Sequence, residues 1–221
     1  TPGPNTNKPV VFVNGVDATI QNLTIDGAGL GNSNVRFVGL AFWNGGGRGA
    51  DLCIEHIEDT PFSGAQHGVG VYAYNETGGP YAIELDHVTV TDFQKTGIAL
   101  MGAGLTVDVH DCTTTGKGYT GVTAQNGIQV SGGAGGAITA CKVTDIGYTG
   151  TGWAASGLLV QDAGGTVAVS DMKGANKIDN VQAPINWYTS NGTVDGVEIA
   201  NSARAEWECG IFAYNYNASL A

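Results

Sequence analysis

The feature that most restricts how this chain can fold is a self-repeat of about thirty residues. A small or turn-forming residue followed by apolar-x-apolar recurs as Pro9-Val10-Val11-Phe12, Gly39-Leu40-Ala41-Phe42, Gly68-Val69-Gly70-Val71, Gly97-Ile98-Ala99-Leu100, Gly127-Ile128-Gln129-Val130 and Gly157-Leu158-Leu159-Val160. Successive motifs start 30, 29, 29, 30 and 30 residues apart. The series then loosens to steps of 27 and 26 at Pro184-Ile185-Asn186-Trp187 and Gly210-Ile211-Phe212-Ala213. A unit this short cannot bury an apolar face alone, so the units must stack on one another.

Each unit carries a second alternating run, among them Ile83-Glu84-Leu85-Asp86-His87-Val88-Thr89-Val90 and Val107-Asp108-Val109-His110-Asp111-Cys112. A period of two reads as strand. A polar residue interrupts each run (Asn22, His56, His87, Asp111, Lys142 and Asp171), and there the alternation slips and a sharp bend is expected. No segment holds a 3.6-residue apolar period over three turns. Clusters such as Gly45-Gly46-Gly47 would disfavour a helix by about 1 kcal/mol per residue. The pattern therefore predicts an all-β solenoid of about seven to eight coils of 26–30 residues, with three strands per coil. At about 4.8 Å per coil this makes a rod of roughly 35 to 40 Å.

The Gly-apolar-x-apolar first strand, the polar bend and the spacing resemble the right-handed parallel β-helix of the pectate-lyase-like superfamily, over nearly the whole chain from Pro9 to Asn217. The resemblance implies a single β-helix domain over residues 1–221. Such solenoids need caps, and the best candidate for an irregular last coil is Ala203 to Cys209. The want of a clear cap leads us to expect a fragment of a longer chain, or an end covered by another subunit. The fold hosts polysaccharide lyases, glycoside hydrolases and non-catalytic surface proteins alike, so it does not decide the activity.

Charge narrows the partners. The formal net charge is −11, which repels nucleic acid. No apolar run approaches the roughly 18 to 20 residues of a membrane-spanning helix, so no membrane insertion is expected. The four cysteines show no zinc-binding spacing. With Asp111 aligned on Lys142, Cys112 and Cys141 fall two residues out of register, which favours free, buried thiols. Asp26, Asn32 and Asn34 offer oxygen ligands for a structural calcium, but no D-x-[DN]-x-[DN]-G loop occurs, so neither metal ligand nor cofactor is assigned.

In the resembling superfamily, the first strand of each coil lines the substrate groove. Alternation sends Val10 and Phe12, Leu40 and Phe42, Val69 and Val71, and their counterparts inward. The outward set then includes Trp43, Tyr72, Tyr74, Gln129 and Gln161, with Tyr188, Phe212, Tyr214 and Tyr216 further on. Flat rings with polar tips suit the stacking of sugars, so these five are the candidate binding residues for a carbohydrate polymer. Burial under a loop or another subunit is the bland alternative.

Nearby loops supply His67, Glu76, Asp162, Lys95 and Arg48 as candidate catalytic groups. A histidine before the third first strand has the chemistry of a general acid or base. Lys95 with Arg48 would match the lysine and arginine of other lyase-like β-helices. The polygalacturonase-like motifs are missing, apart from the corner Gln66-His67-Gly68. The expectation is an extracellular or cell-surface protein that engages a polysaccharide, with lyase or hydrolase activity left open. The alternative is a non-catalytic adhesion or stalk solenoid that assembles as a homo-oligomer.

Overall fold

The computed structural model describes residues 8–34, 36–202 and 209–216. The candidate last coil therefore lies mostly outside the described residues. Among those described, the chain is a β-solenoid of about seven turns built from two parallel sheets. The first sheet stacks the opening strand of every coil: Lys8–Asn14, Phe37–Trp43, Val69–Tyr74, Thr96–Met101, Asn126–Ser131, Ser156–Gln161, Ala183–Tyr188 and Ile211–Tyr214. The second contains the other two strands of each coil. These run unbroken through the bend in Gly47–Glu55 and Tyr81–Thr91, and separate later, as in Leu105–His110 and Thr113–Thr120. The only helical pieces described are two single 3-10 turns, and no helix is long and apolar enough to cross a membrane.

Stacking turns the sequence repeat into columns. Val11, Leu40, Val71, Ile98, Ile128, Leu158, Ile185 and Ile211 form one column of the first sheet, which faces the interior. Its members from Leu40 to Ile185 are fully buried. The second sheet meets it with Leu85, Val109, Ile138 and Val169 in another column.

The glycine of each motif has a definite cause. A Cβ on Gly127 would lie 2.6 Å from the carbonyl oxygen of Gly157 in the next coil and 2.7 Å from Cγ1 of Val143 across the interior. Only a residue without a side chain lets the first strand enter so close to the second sheet.

Two features of the register differ from the sequence reading. Val11 and Val13, rather than Val10 and Phe12, continue the inward columns; Val10 and Phe12 are 50% and 40% exposed. Likewise Val71 and Ala73 point inward, and Val69 pairs with Val38 on the outer side. The position equivalent to Gly39 is Val10 in coil 1 and Gly70 in coil 3. Coil lengths are thus more uneven than the motif spacing implies, and Gly68-Val69-Gly70-Val71 offers two overlapping readings of the same motif.

The bends are ladders of left-handed residues. Asn22, Asp51, His87, Asp111, Ala140 and Asp171 stack at one corner, all with φ between 50° and 57°. Asn22, His87, Asp111 and Asp171 were expected there; His56 and Lys142 were not correctly placed, and Asp51 and Ala140 hold those rungs. His56 belongs to the next corner, with Asp92, Asp145, Asn180 and Asn201, where Asn180 Nδ2 donates to Asp145 at 2.7 Å. Short polar side chains tolerate this conformation by bonding locally, which explains their recurrence.

The corrected bend also changes the cysteine argument. His110 pairs with Thr139 and Thr113 with Lys142, so Cys112 and Cys141 are stacked neighbours rather than offset. Both thiols are free and buried, each donating to backbone carbonyls, and the sulfur–sulfur hydrogen bond with Cys141, followed by burial, pushes the Cys112 thiol up.

Candidate functional site

The outer face of the first sheet carries two columns that determine what it can bind. One runs Phe12, Ala41, Tyr72, Ala99, Gln129, Leu159, Asn186, Phe212. The other runs Asn14, Trp43, Tyr74, Met101, Ser131, Gln161, Tyr188, Tyr214. Apart from Phe12 on the first coil, the aromatic residues fall in two groups, at coils 2–3 and after coil 6, separated by small and amide side chains.

The first group is closed. Trp43 is 1% and Tyr72 8% exposed; both pack in an outer apolar cluster with Val38, Ala41 and Ala99, against Val69, Tyr74 and Met101. Trp43 and Tyr74 have ring centroids 4.9 Å apart, and Tyr72 stacks on Tyr74 at 6.0 Å. Desolvation pushes the Tyr72 phenol well above its ordinary value. The expectation that Trp43 and Tyr72 form an open sugar platform is therefore corrected: the rings pack on Tyr74 and among the small and apolar side chains of their own cluster. Tyr74 alone of the three is half-exposed.

The second group is open. A groove of about 1030 Å³ crosses the outer face over coils 5 to 7. Its floor includes Asn126, Ser156, Leu159, Gln161, Asn186 and Tyr188; one wall is formed by Tyr148, Gly152 and Trp153, and the far end by Phe212, Tyr214 and Tyr216. Tyr188 and Tyr216 stack face to face, with centroids 5.4 Å apart and planes 4° from parallel. Trp153 is 75% exposed. Asn186 Nδ2 donates to Ser156 Oγ at 2.8 Å, fixing an amide in the middle of the floor. Trp153, on the loop before Ser156–Gln161, was not singled out from sequence, because the apolar period that marks strands does not extend into loops. The glycine-rich run Gly147 to Gly152 that leads into it is the available signal.

Of the expected polar residues, Gln161 and Lys95 line this groove. Gln129 stands beside Leu159 in its column, with its Nε2 donating to Ser131 Oγ at 3.0 Å. Lys95 Nζ bonds the Ala124 carbonyl, and burial lowers the pKa of its ammonium. Asp162 is exposed in a left-handed turn (φ 51°) just past Gln161, where its N–H donates to the Tyr188 carbonyl at 3.0 Å. Its position is set by the corner. Glu76 is exposed after the third first strand, its N–H held by Asn44 Oδ1 at 2.7 Å, and it does not line the groove.

Arg48 is not near Lys95 in the groove. It sits on the second sheet, where its Nε donates to Glu84 at 2.8 Å and its Nη2 bonds Asp86. The expected Lys95 and Arg48 pair is thus divided between two sheets. His67 is neither exposed nor bonded to backbone. Its Nε2 lies 2.7 Å from Oδ1 of Asp59, an acid the sequence reading missed, and Asp59 also accepts from Ser63. Burial opposes the charge of Asp59, but its bonds to Ser63 and His67 outweigh that and hold its pKa below the usual value.

No carboxylate lines the groove among the described residues. Its chemistry is that of aromatic faces, amides, hydroxyls and one lysine. Comparison of the chain with protein-family models, with curated proteins and with solved structures finds no match.

Proposed function

We propose that this chain binds a polysaccharide in the groove over coils 5 to 7, as a carbohydrate-engaging surface or extracellular solenoid. The observation that carries the reading is the combination of open rings with amides: Trp153, Tyr188 and Tyr216 beside Asn126, Gln161 and Asn186, the last held on Ser156. Rings offer apolar faces to sugar C–H groups while amides and hydroxyls meet sugar hydroxyls, and few other ligands need both in an open trough. The groove's size stands at the upper end of small-ligand sites, about 300 to 1,000 Å³, which suits several sugar units better than one. The likeness of the sequence to the pectate-lyase-like superfamily supports the same reading.

Binding is favoured over hydrolysis because glycoside hydrolysis ordinarily needs two carboxyl groups roughly 5 to 9.5 Å apart at the scissile bond. The described lining offers none. One observation favours a second reading, cleavage by elimination: the depressed pKa of Lys95 suits it to accept a proton. Calorimetric titration with a panel of neutral and acidic oligosaccharides tests both. Binding should weaken at least about tenfold in Tyr188→Ala and Trp153→Ala, with no new ultraviolet absorbance from unsaturated sugar ends. Absorbance that is lost in Lys95→Met would establish the second reading. Failure of every glycan to bind, or affinity indifferent to both aromatic substitutions, would overturn the proposal.

A further inference from the structure

A separate constellation occupies the outer face of the second sheet, away from the groove. Parallel pairing sets Asp86 directly beside His110 and places Glu84 two residues along the same face. The left-handed bend at His87 (φ 53°) and Asp111 (φ 55°) then breaks the alternation. Residues adjacent in sequence therefore share one face: His87 Nδ1 bonds Asp86, and His110 Nδ1 lies 3.2 Å from Asp111 Oδ2. His110 also faces Glu84 at 3.6 Å and Asp86 at 3.4 Å.

We infer that this face is a divalent transition-metal site of the zinc class, with Glu84, Asp86 and His110 as ligands and His87 and Asp111 flanking them. One ligand atom from each of Glu84, Asp86 and His110 lies within 4.8 Å of the others, and the same holds for Asp86, His87 and Asp111. Ligand bonds of about 2.0–2.2 Å bring donor atoms to within about 4.4 Å of one another, so a small contraction suffices. Three carboxylates stand against one guanidinium, Arg48, which leaves an excess of negative charge suited to a divalent ion. The imidazole of His110, with that of His87 beside it as a second nitrogen donor, selects a borderline metal over calcium or magnesium, which prefer all-oxygen shells.

Arg48 holds the cation position in the structure, bonded to both Glu84 and Asp86. A metal must displace it, so Arg48 sets a ceiling on affinity. The trio Asp26, Glu55 and His56 has one imidazole and no second histidine, and serves as an internal comparison.

Calorimetric titration of the full chain with zinc chloride, and in parallel with calcium and magnesium chloride, tests the site. Zinc should bind saturably at one equivalent, at least about tenfold more tightly than either alkaline-earth ion. His110→Ala and Asp86→Asn should each weaken it roughly tenfold or more. Arg48→Gln should tighten it, and His56→Ala should leave it unchanged. Circular dichroism and melting of each variant separate lost ligation from lost folding; if His110→Ala unfolds, Asp86→Asn and Arg48→Gln decide. The inference is overturned by no saturable zinc binding, by equal affinity for calcium, by indifference to both ligand substitutions, or by loss of binding in His56→Ala.

Discussion

Thr114 stands in an inward column between Val90 and Val143, fully buried, and its hydroxyl has no hydrogen-bond partner among the described residues. An unmet buried hydroxyl is a standing penalty. Thr114→Val keeps the shape and removes it, and should raise stability by about 1 kcal/mol in urea denaturation. Gly127→Ala should do the reverse, lowering stability by about 1–3 kcal/mol, because its Cβ meets backbone that cannot retreat. His56 and Asp26, 3.0 Å apart on adjacent coils, give a pH dependence. The Asp26 bond raises the His56 pKa; the Ala28 N–H and His56 lower that of Asp26. The histidine's contribution is present below its unfolded value of about 6.5 and is lost as pH rises through its raised folded value. The aspartate's is present above about 3.9 and is lost as pH falls through its lowered folded value. The pair therefore contributes most near pH 5, by a small amount since both groups are half-exposed. Denaturation midpoints of wild type and His56→Gln should differ more at pH 5 than at pH 8.

At the scale of strands and corners, the left-handed ladder is uneven at one rung. Asn22, Asp51, His87, Asp111 and Asp171 have side chains that tolerate φ near 50°, whereas Ala140 at 52° does not. Ala140→Asn should raise the urea midpoint, by up to about 1 kcal/mol in stability. Much of this element-level order was legible in the sequence. Gly97, Gly127 and Gly157 each precede an apolar-x-apolar pair in register, because one physical constraint, close approach to the second sheet, acts on all three. The slips came where that constraint was ambiguous. Val69 and Val71 are both apolar and both flanked by glycine, so period two alone does not choose between them. Lys142 reads as a bend because it is polar, while the true bend, Ala140, lacks the chemistry that marks its neighbours.

For the molecule as a whole, exposure was the illegible quantity. Trp43 and Tyr188 occupy the same outer column, yet one is sealed and the other lines a groove, a difference made by neighbours some thirty residues away. The end coils differ from the middle in the same way. Val10 and Phe12 at one end, and Ile211 at the other, are exposed where their counterparts in coil 4, Gly97, Ala99 and Ile98, are buried. Hydrogen exchange read by mass spectrometry should be slowest in Thr96–Met101 and Asn126–Ser131 and fastest in Lys8–Asn14 and Ile211–Tyr214. Uniform protection would show that each coil is held by more than its two neighbours. The stacked corners also make the rod extensible. Tandem duplication of the thirty residues from Gly127 to Ser156 inserts one complete rung, with its own glycine, turn and loop; coil 6 keeps the partner sequence it has now, and coil 5 meets its own copy in place of coil 6. The trough over coils 5 to 7 would grow by one increment, so the reach of this surface is a quantity that gene duplication alone can tune.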